Sequence, residues 1–377
     1  MNFSVQFKVR GDDFGGHFIN GISMADSESF WKCKLVSADD EKNVYESSDG
    51  YKITAYHIKK GDVFECYTVF ENNTDSVVTL DMISSFAITD LDFDTLHRAT
   101  SFWSAEGKML SQKLTDLNME RSWSGHGIRI EKFGQVGSMP VRKWFPFVAI
   151  ENSEKNEFIG VQLYIPSSWQ IELFRHKEPL TLLGGLADFD YGHWCKEIKP
   201  NESFTTPKAV VAVGDSLLKV CDMLVKAQQP DISPVDEDLP VIFNEYCTSW
   251  GNPTIENLEK TAKKLQGSGV KYLVMDSGWY KEDGKEWWDT IGDWNVNKSQ
   301  FPDGLKPVCD MIKSYGLIPG IWFEMENVAP LSQIYNETDH LLSRMGTPLN
   351  VAGHRFLDLR DEWCVNYLDE KVIKLLR

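Results

Sequence analysis

The sequence has no C-x-x-C pair, no block of Lys and Arg, no membrane-length apolar run and no low-complexity tract. Each absence excludes something. Seven cysteines, odd in number and widely scattered, argue against a disulfide framework or a zinc site and for reduced thiols. A formal net charge of -17 with no basic patch repels a polyanion, which excludes nucleic acid as a partner. The opening MNFSVQFKVRGDD lacks the apolar core of a signal peptide, and no segment approaches a membrane span. The expectation is a cytoplasmic chain with no membrane partner, in which the Asn72-Asn73-Thr74 sequon carries no weight. No Gly-rich phosphate loop follows any predicted strand, and no cofactor is expected.

What is present is a foldable composition: 377 residues, 42% hydrophobic and 25% charged, enough for two domains. Residues 1–235 read as all-β. Apolar-alternating runs recur between polar turns: FECYTVF (64–70), SVVTLDMISSFAI (76–88), KWFPFVAI (143–150), FIGVQLYI (158–165) and SFTTPKAVVAV (203–213). Strands at this density predict a large β-sandwich. AQQPDISPVDEDL (227–239), rich in prolines and acids, reads as a linker.

From residue 240 the grammar changes. LPVIFNEY (239–246), VKYLVMD (270–276) and LIPGIWFE (317–324) predict strands. PTIENLEKTAKKLQ (253–266), DGLKPVCDMIKSYG (303–316) and DEWCVNYLDEKVIKLLR (361–377) predict helices. Alternating strand and helix predicts parallel βαβ units. The preferred architecture for 240–377 is the first three βα units of a (β/α)8 TIM barrel, with a doubly wound open sheet as the alternative.

In such barrels the chemistry gathers at the carboxyl ends of the strands. Those ends here carry Asn244, Glu245 and Tyr246, then Asp276 and Trp279, then Trp322, Glu324 and Glu326. Acids beside aromatic rings suit a sugar: a carboxylate accepts two hydroxyl hydrogen bonds, and an indole covers the apolar face of a pyranose. For Glu324 and Glu326 a helix-capping role weighs equally. No histidine joins the acids at a strand end, which argues against a metal. Elsewhere, RSWSGHG (121–127) reads as a surface turn, with reach over the barrel mouth as the alternative. His193 and Trp194 read as packing between strands; Trp287 and Trp288 read equally as core or as the leaving-group side of a pocket.

MDSGWY (275–280), GDWNVNKSQFPDGL (292–305) and GLIPGIWFEMENV (316–328) together resemble glycoside hydrolase family 36, the α-galactosidase family. Its members carry D-D-G-W-F, G-D-W…F-P-x-G-L and G-L-W-x-E-P-E-M-V in this order. The β-rich first half, closed by E-x-F-T-T-P (202–207), is similar to the family's N-terminal β-supersandwich, so the resemblance spans nearly the whole chain. It implies retaining hydrolysis of terminal α-galactosides through two carboxylates. It also implies a carbohydrate partner and oligomers formed through the sandwich. Position by position it implies that Asp276 binds galactose hydroxyls, that Trp322 contributes to the sugar pocket and that Trp279 shapes its wall. Tyr246 stands where the family has tryptophan, and Arg355 answers, at a different spacing, to a sugar-contacting arginine.

Departures accompany the match. Ser277 replaces the second acid of the D-D pair, Met325 and Asn327 alter E-P-E-M-V, and FNEYCTSWG (243–251) is far from the common N-S-W-E. A serine and a tyrosine at these positions imply an altered specificity, such as an N-acetylated galactoside or a different leaving group. The family's nucleophile, in a K-x-D arrangement, and its general acid belong to later strands, so both are expected beyond Arg377. Residues 1–377 are therefore expected to recognise sugar without cleaving it. A galactosyl transferase of the same family and a non-catalytic carbohydrate-binding protein stay open as alternatives.

Overall fold

The computed structural model describes residues 1–14, 19–121, 127–176, 179–228, 230 and 232–376. By its internal contacts the chain divides into two compact units, Met1–Pro230 and Asp231–Arg377. Trp123 and His126 of the RSWSGHG stretch lie outside the described residues.

Among the described residues the first unit carries two antiparallel sheets, of seven and ten strands. Their alternating apolar residues meet in one core. Ile88, Phe133, Ile171, Leu173 and Leu182 come from the smaller sheet; Leu96, Val148, Ile150, Val161 and Val211 come from the larger. This is the sandwich expected from period-two patterning. A helix at Leu217–Ala227, capped by the Ser216 hydroxyl, lays Val220, Met223 and Leu224 on the larger sheet beside Phe158 and Ala212. The predicted strand 143–150 starts only at Phe147. Pro146 has no N–H to donate to the ladder, so regular pairing begins after it. His193 ends a short helical turn in the left-handed region with its ring against Phe189, and Trp194 packs on Phe204.

The second unit is built on three parallel strands in chain order: Val241–Asn244, Val270–Met275 and Ile318–Ile321. The helix at Ile255–Leu265 joins the first two, and the helix at Lys306–Ser314 precedes the third. Thr254 caps the earlier helix, its hydroxyl accepting the Asn257 N–H at 3.1 Å, and Lys263 and Lys264 sit favourably in its last turn. Leu258 and Ala262 of that helix share a core with Val308 and Ile312 of the next and with Leu273 and Met275 of the central strand. Past the third strand, Asn327–Val328 pairs with Arg355–Phe356. The final helical segment runs Glu362–Leu368 and widens to a π-helical turn at Asp369–Ile373.

Candidate functional site

Because the three strands are parallel, their carboxyl ends lie at one end of the sheet. Register places Asn244 opposite Val274 and Met275 opposite Ile321. The Trp322 N–H then donates to the Met275 carbonyl at 3.0 Å, extending the ladder by one rung. Asn244, Asp276 and Trp322 thus stand at neighbouring positions just where pairing stops.

Asp276 is held from two sides. Asn244 Nδ2 donates to its Oδ2 at 2.6 Å, and its Oδ1 accepts the Ser277 N–H at 2.7 Å. Asn244 is itself fixed, its Oδ1 accepting the Tyr246 N–H at 2.9 Å. Each Asp276 oxygen keeps a lone pair beyond these bonds, the capacity that a pair of sugar hydroxyls needs. Beneath it Glu245 is fully buried, with Oε1 accepting the Asp276 N–H at 3.3 Å and Oε2 facing the Thr248 hydroxyl at 3.3 Å. Burial pushes the Glu245 carboxyl above the ordinary glutamate range, against hydrogen bonds from the Asp276 backbone and Thr248.

The turn after Asp276 is tight. Gly278 has φ +94°, and a Cβ there would lie 2.0 Å from the Gly251 carbonyl oxygen. Only glycine permits both the backbone angle and that approach. Ser277 is fully buried and its hydroxyl has no hydrogen-bond partner. An unpaired buried hydroxyl costs about 1–3 kcal/mol, so this atom is a polar group in need of a partner.

Aromatic rings line the same region. Trp279 is fully buried and its indole N–H donates to the Trp322 carbonyl at 3.1 Å. It supports Trp322 from the core and presents no face to solvent. Trp294 of the GDW stretch, buried as well, stacks on Trp279 at 6.1 Å between centroids and meets Trp322 edge-on at 6.3 Å. Tyr280 packs edge-to-face on Trp294, its hydroxyl unpaired and pushed up by burial and by the negative charges of Glu324 and Asp276. Burial also raises Glu324, which is half-buried, opposed by a hydrogen bond with Asn327; Glu326 is exposed. Half-buried Tyr246 meets Trp287 edge-on, and Trp287 meets Trp322.

Of the residues picked from the sequence, the structure brings Asp276, Ser277, Trp279, Trp322 and Tyr246 to one end of the sheet. Arg355 is engaged with Tyr335: its guanidinium stacks on the Tyr335 ring at 4.1 Å and donates to the Tyr335 carbonyl. The orienting role of Asn244 and the support from Glu245 were not assigned from sequence. An amide at a strand end reads as a turn residue, and only the register shows it facing a carboxylate. Among the described residues no group of three or more His, Cys, Asp or Glu could hold a metal. No described helix is long and apolar enough to cross a membrane.

A melibiase family model matches residues 203–377. The chain is 25% identical over 274 residues to alpha-galactosidase Mel36A of Lactobacillus acidophilus, covering 69% of this chain and 36% of that protein. It is 27% identical over 203 residues to alpha-galactosidase AgaA of Geobacillus stearothermophilus, covering 51% and 27%. Among solved structures, the family 36 α-galactosidase AgaB of G. stearothermophilus superimposes with a TM-score of 0.74 at 19% identity, over 100% of this chain and 51% of that one. A variant of AgaA in complex with stachyose gives 0.73 at 20% identity, over 100% and 52%. The chain therefore spans between about a quarter and about a third of those curated relatives and about half of those solved chains.

Proposed function

Since the chain is a relative of the family 36 α-galactosidases and matches their N-terminal portion, we propose that it is the sugar-recognising part of a retaining α-galactosidase-like glycoside hydrolase. On this reading the first unit is the family's supersandwich and the three parallel strands open a (β/α)8 barrel. Supporting the barrel are the sequential strand order, the intervening helices and the gathering of polar residues at the strands' carboxyl ends. The substrate class is a terminal α-galactoside.

One observation carries the assignment: a carboxylate fixed by Asn244 and the Ser277 N–H, beside Trp322, where the parallel ladder ends. Asp276 binds two hydroxyls of the galactosyl ring; Trp322 covers its apolar face. Ser277 contributes a neutral hydroxyl where the family pattern has an acid, and this alters which ring substituents are favoured. Double displacement needs a nucleophile and a proton donor. On this reading Asp276 serves recognition, and neither of those two roles falls to it.

The test is a calorimetric titration of residues 1–377 with galactose. Binding in the millimolar range or tighter is expected, with loss of at least about tenfold in Asp276→Ala, as for a hydrogen-bonded charged group. Unaltered affinity in that variant would sink the assignment. The same preparation is expected to release no nitrophenol from an aryl α-galactoside.

A further inference from the structure

The first unit carries a furrow of about 700 Å³ between the helix at Leu217–Ala227 and adjoining strands of the larger sheet. Strand pairing builds one wall: Glu65 stands opposite Val210, and the Tyr164 N–H donates to the Lys208 carbonyl at 2.9 Å. Lys219, Met223 and Lys226, spaced for one helix face, build the other. Buried Val63, Val210 and Met223 give the furrow an apolar lining.

Its charge runs against that of the chain. Four lysines and three acids line it, on a molecule of net charge -17. The surplus sits at Glu65, where one carboxylate anchors two ammoniums: Lys60 Nζ is 3.1 Å from Oε2 and Lys208 Nζ is 3.0 Å from Oε1. Lys226, by contrast, has an acid of its own in Asp222, at 2.8 Å. Burial pushes the Glu65 carboxyl up, but the two ammoniums outweigh it and hold the group below the ordinary glutamate range. The anchor therefore stays ionised, and each ammonium keeps donors beyond the one spent on it.

We propose that this furrow binds a small phosphate monoester of the hexose phosphate class, with the phosphate on Lys60 and Lys208 and the organic body over Tyr164. Lysines are point charges with rotatable donors, and a fixed pair of them suits the tetrahedral oxygens of a phosphate. A volume of about 700 Å³ is far more than an inorganic ion fills and is that of a small-molecule site. Tyr164 stands beside the same anchor: burial and the Glu65 charge push its hydroxyl up, and its ring offers an apolar face to the ligand's body. Asp62, exposed on the rim, offers a carboxylate to hydroxyls of that body. The site lies wholly within the first unit, and the galactoside reading of Asp276 plays no part in it.

Calorimetric titration of residues 1–377 with glucose 6-phosphate and with inorganic phosphate, in a buffer free of phosphate, tests this. Glucose 6-phosphate is expected to bind in the millimolar range or tighter, and about tenfold tighter than inorganic phosphate. Lys60→Gln and Lys208→Gln should each weaken it about tenfold, the scale of a hydrogen bond to a charged group. Tyr164→Ala should weaken glucose 6-phosphate and leave inorganic phosphate unchanged. Lys34→Gln, elsewhere on the larger sheet, should change neither. Each lysine variant of the pair leaves Glu65 one ammonium and alters an exposed side chain, so it is expected to fold; an unchanged thermal midpoint checks this. Saturating galactose should not compete. Equal affinities for the two phosphates, competition by galactose, or an equal loss in Lys34→Gln overturns the site, as does no heat of binding with millimolar glucose 6-phosphate.

Discussion

Glu245 illustrates how much of the site depends on a residue that no ligand touches. It is a fully buried acid whose carboxyl is raised by desolvation. The folded chain holds this proton more tightly than the unfolded chain. Its contribution to stability is therefore complete below the unfolded value of about 4.3, and is lost as pH rises through the raised folded value. Glu245→Gln keeps an Oε1 acceptor for the Asp276 N–H and removes the ionisation. The variant's denaturation midpoint should match the parent's near pH 4 and exceed it increasingly above that. A difference that does not grow with pH would show that Glu245 is not the titrating group. At this scale the sequence was informative where chemistry was unusual for its place. Asn244, Glu245 and Asp276 all stand out at the ends of apolar runs, but the roles of Asn244 and Glu245 do not, because their partners are one strand away. Trp279 stood out as a ring near an acid, yet its full burial assigns it to support rather than contact.

Elements were more legible than their junctions. The helix at Ile255–Leu265 follows from its apolar spacing and from Thr254, and the strand at Val270–Met275 from a β-rich run between Gly269 and Asp276. Junctions depend on approaches that no local pattern records. Gly278 shows this: its left-handed φ, and the Gly251 carbonyl oxygen that would lie 2.0 Å from a Cβ there, tie the turn after the second strand to the loop after the first. Gly278→Ala must both strain the backbone and force those loops apart. We expect a loss of at least about 3 kcal/mol. That corresponds to a fall of roughly 10 °C in the second unit's thermal midpoint, read by calorimetry. A shift of only a degree or two would mean that the loops yield without cost. The short pairing of Asn327–Val328 with Arg355–Phe356 was invisible in sequence, since two-residue strands have no periodicity to detect.

At the scale of the whole molecule, the change from period-two alternation to strand-helix alternation was the clearest signal in the sequence. Residues 227–239 read as a linker, and the division of the chain into two compact units falls between Pro230 and Asp231. What sequence could not supply was the order of strands within the two large sheets, because partners such as Val78–Leu91 and Leu180–Leu186 are far apart in the chain.

The Asn244–Asp276 bond joins two adjacent strands where a sugar is proposed to sit, and so ties ligand affinity to strand register. A slip of either strand would separate the amide from the carboxylate. By linkage, a ligand that binds only the correctly registered sheet stabilises it, by about 2.7 kcal/mol at a hundred times its dissociation constant. Galactose should then act as a protease shield for one unit alone. In limited proteolysis, saturating sugar is expected to slow cleavage within 232–376 and to leave cleavage within the first unit unchanged. Equal protection of both, or of neither, would disconnect the sugar from the sheet. Substrate, on this view, is also part of what keeps the strands in step.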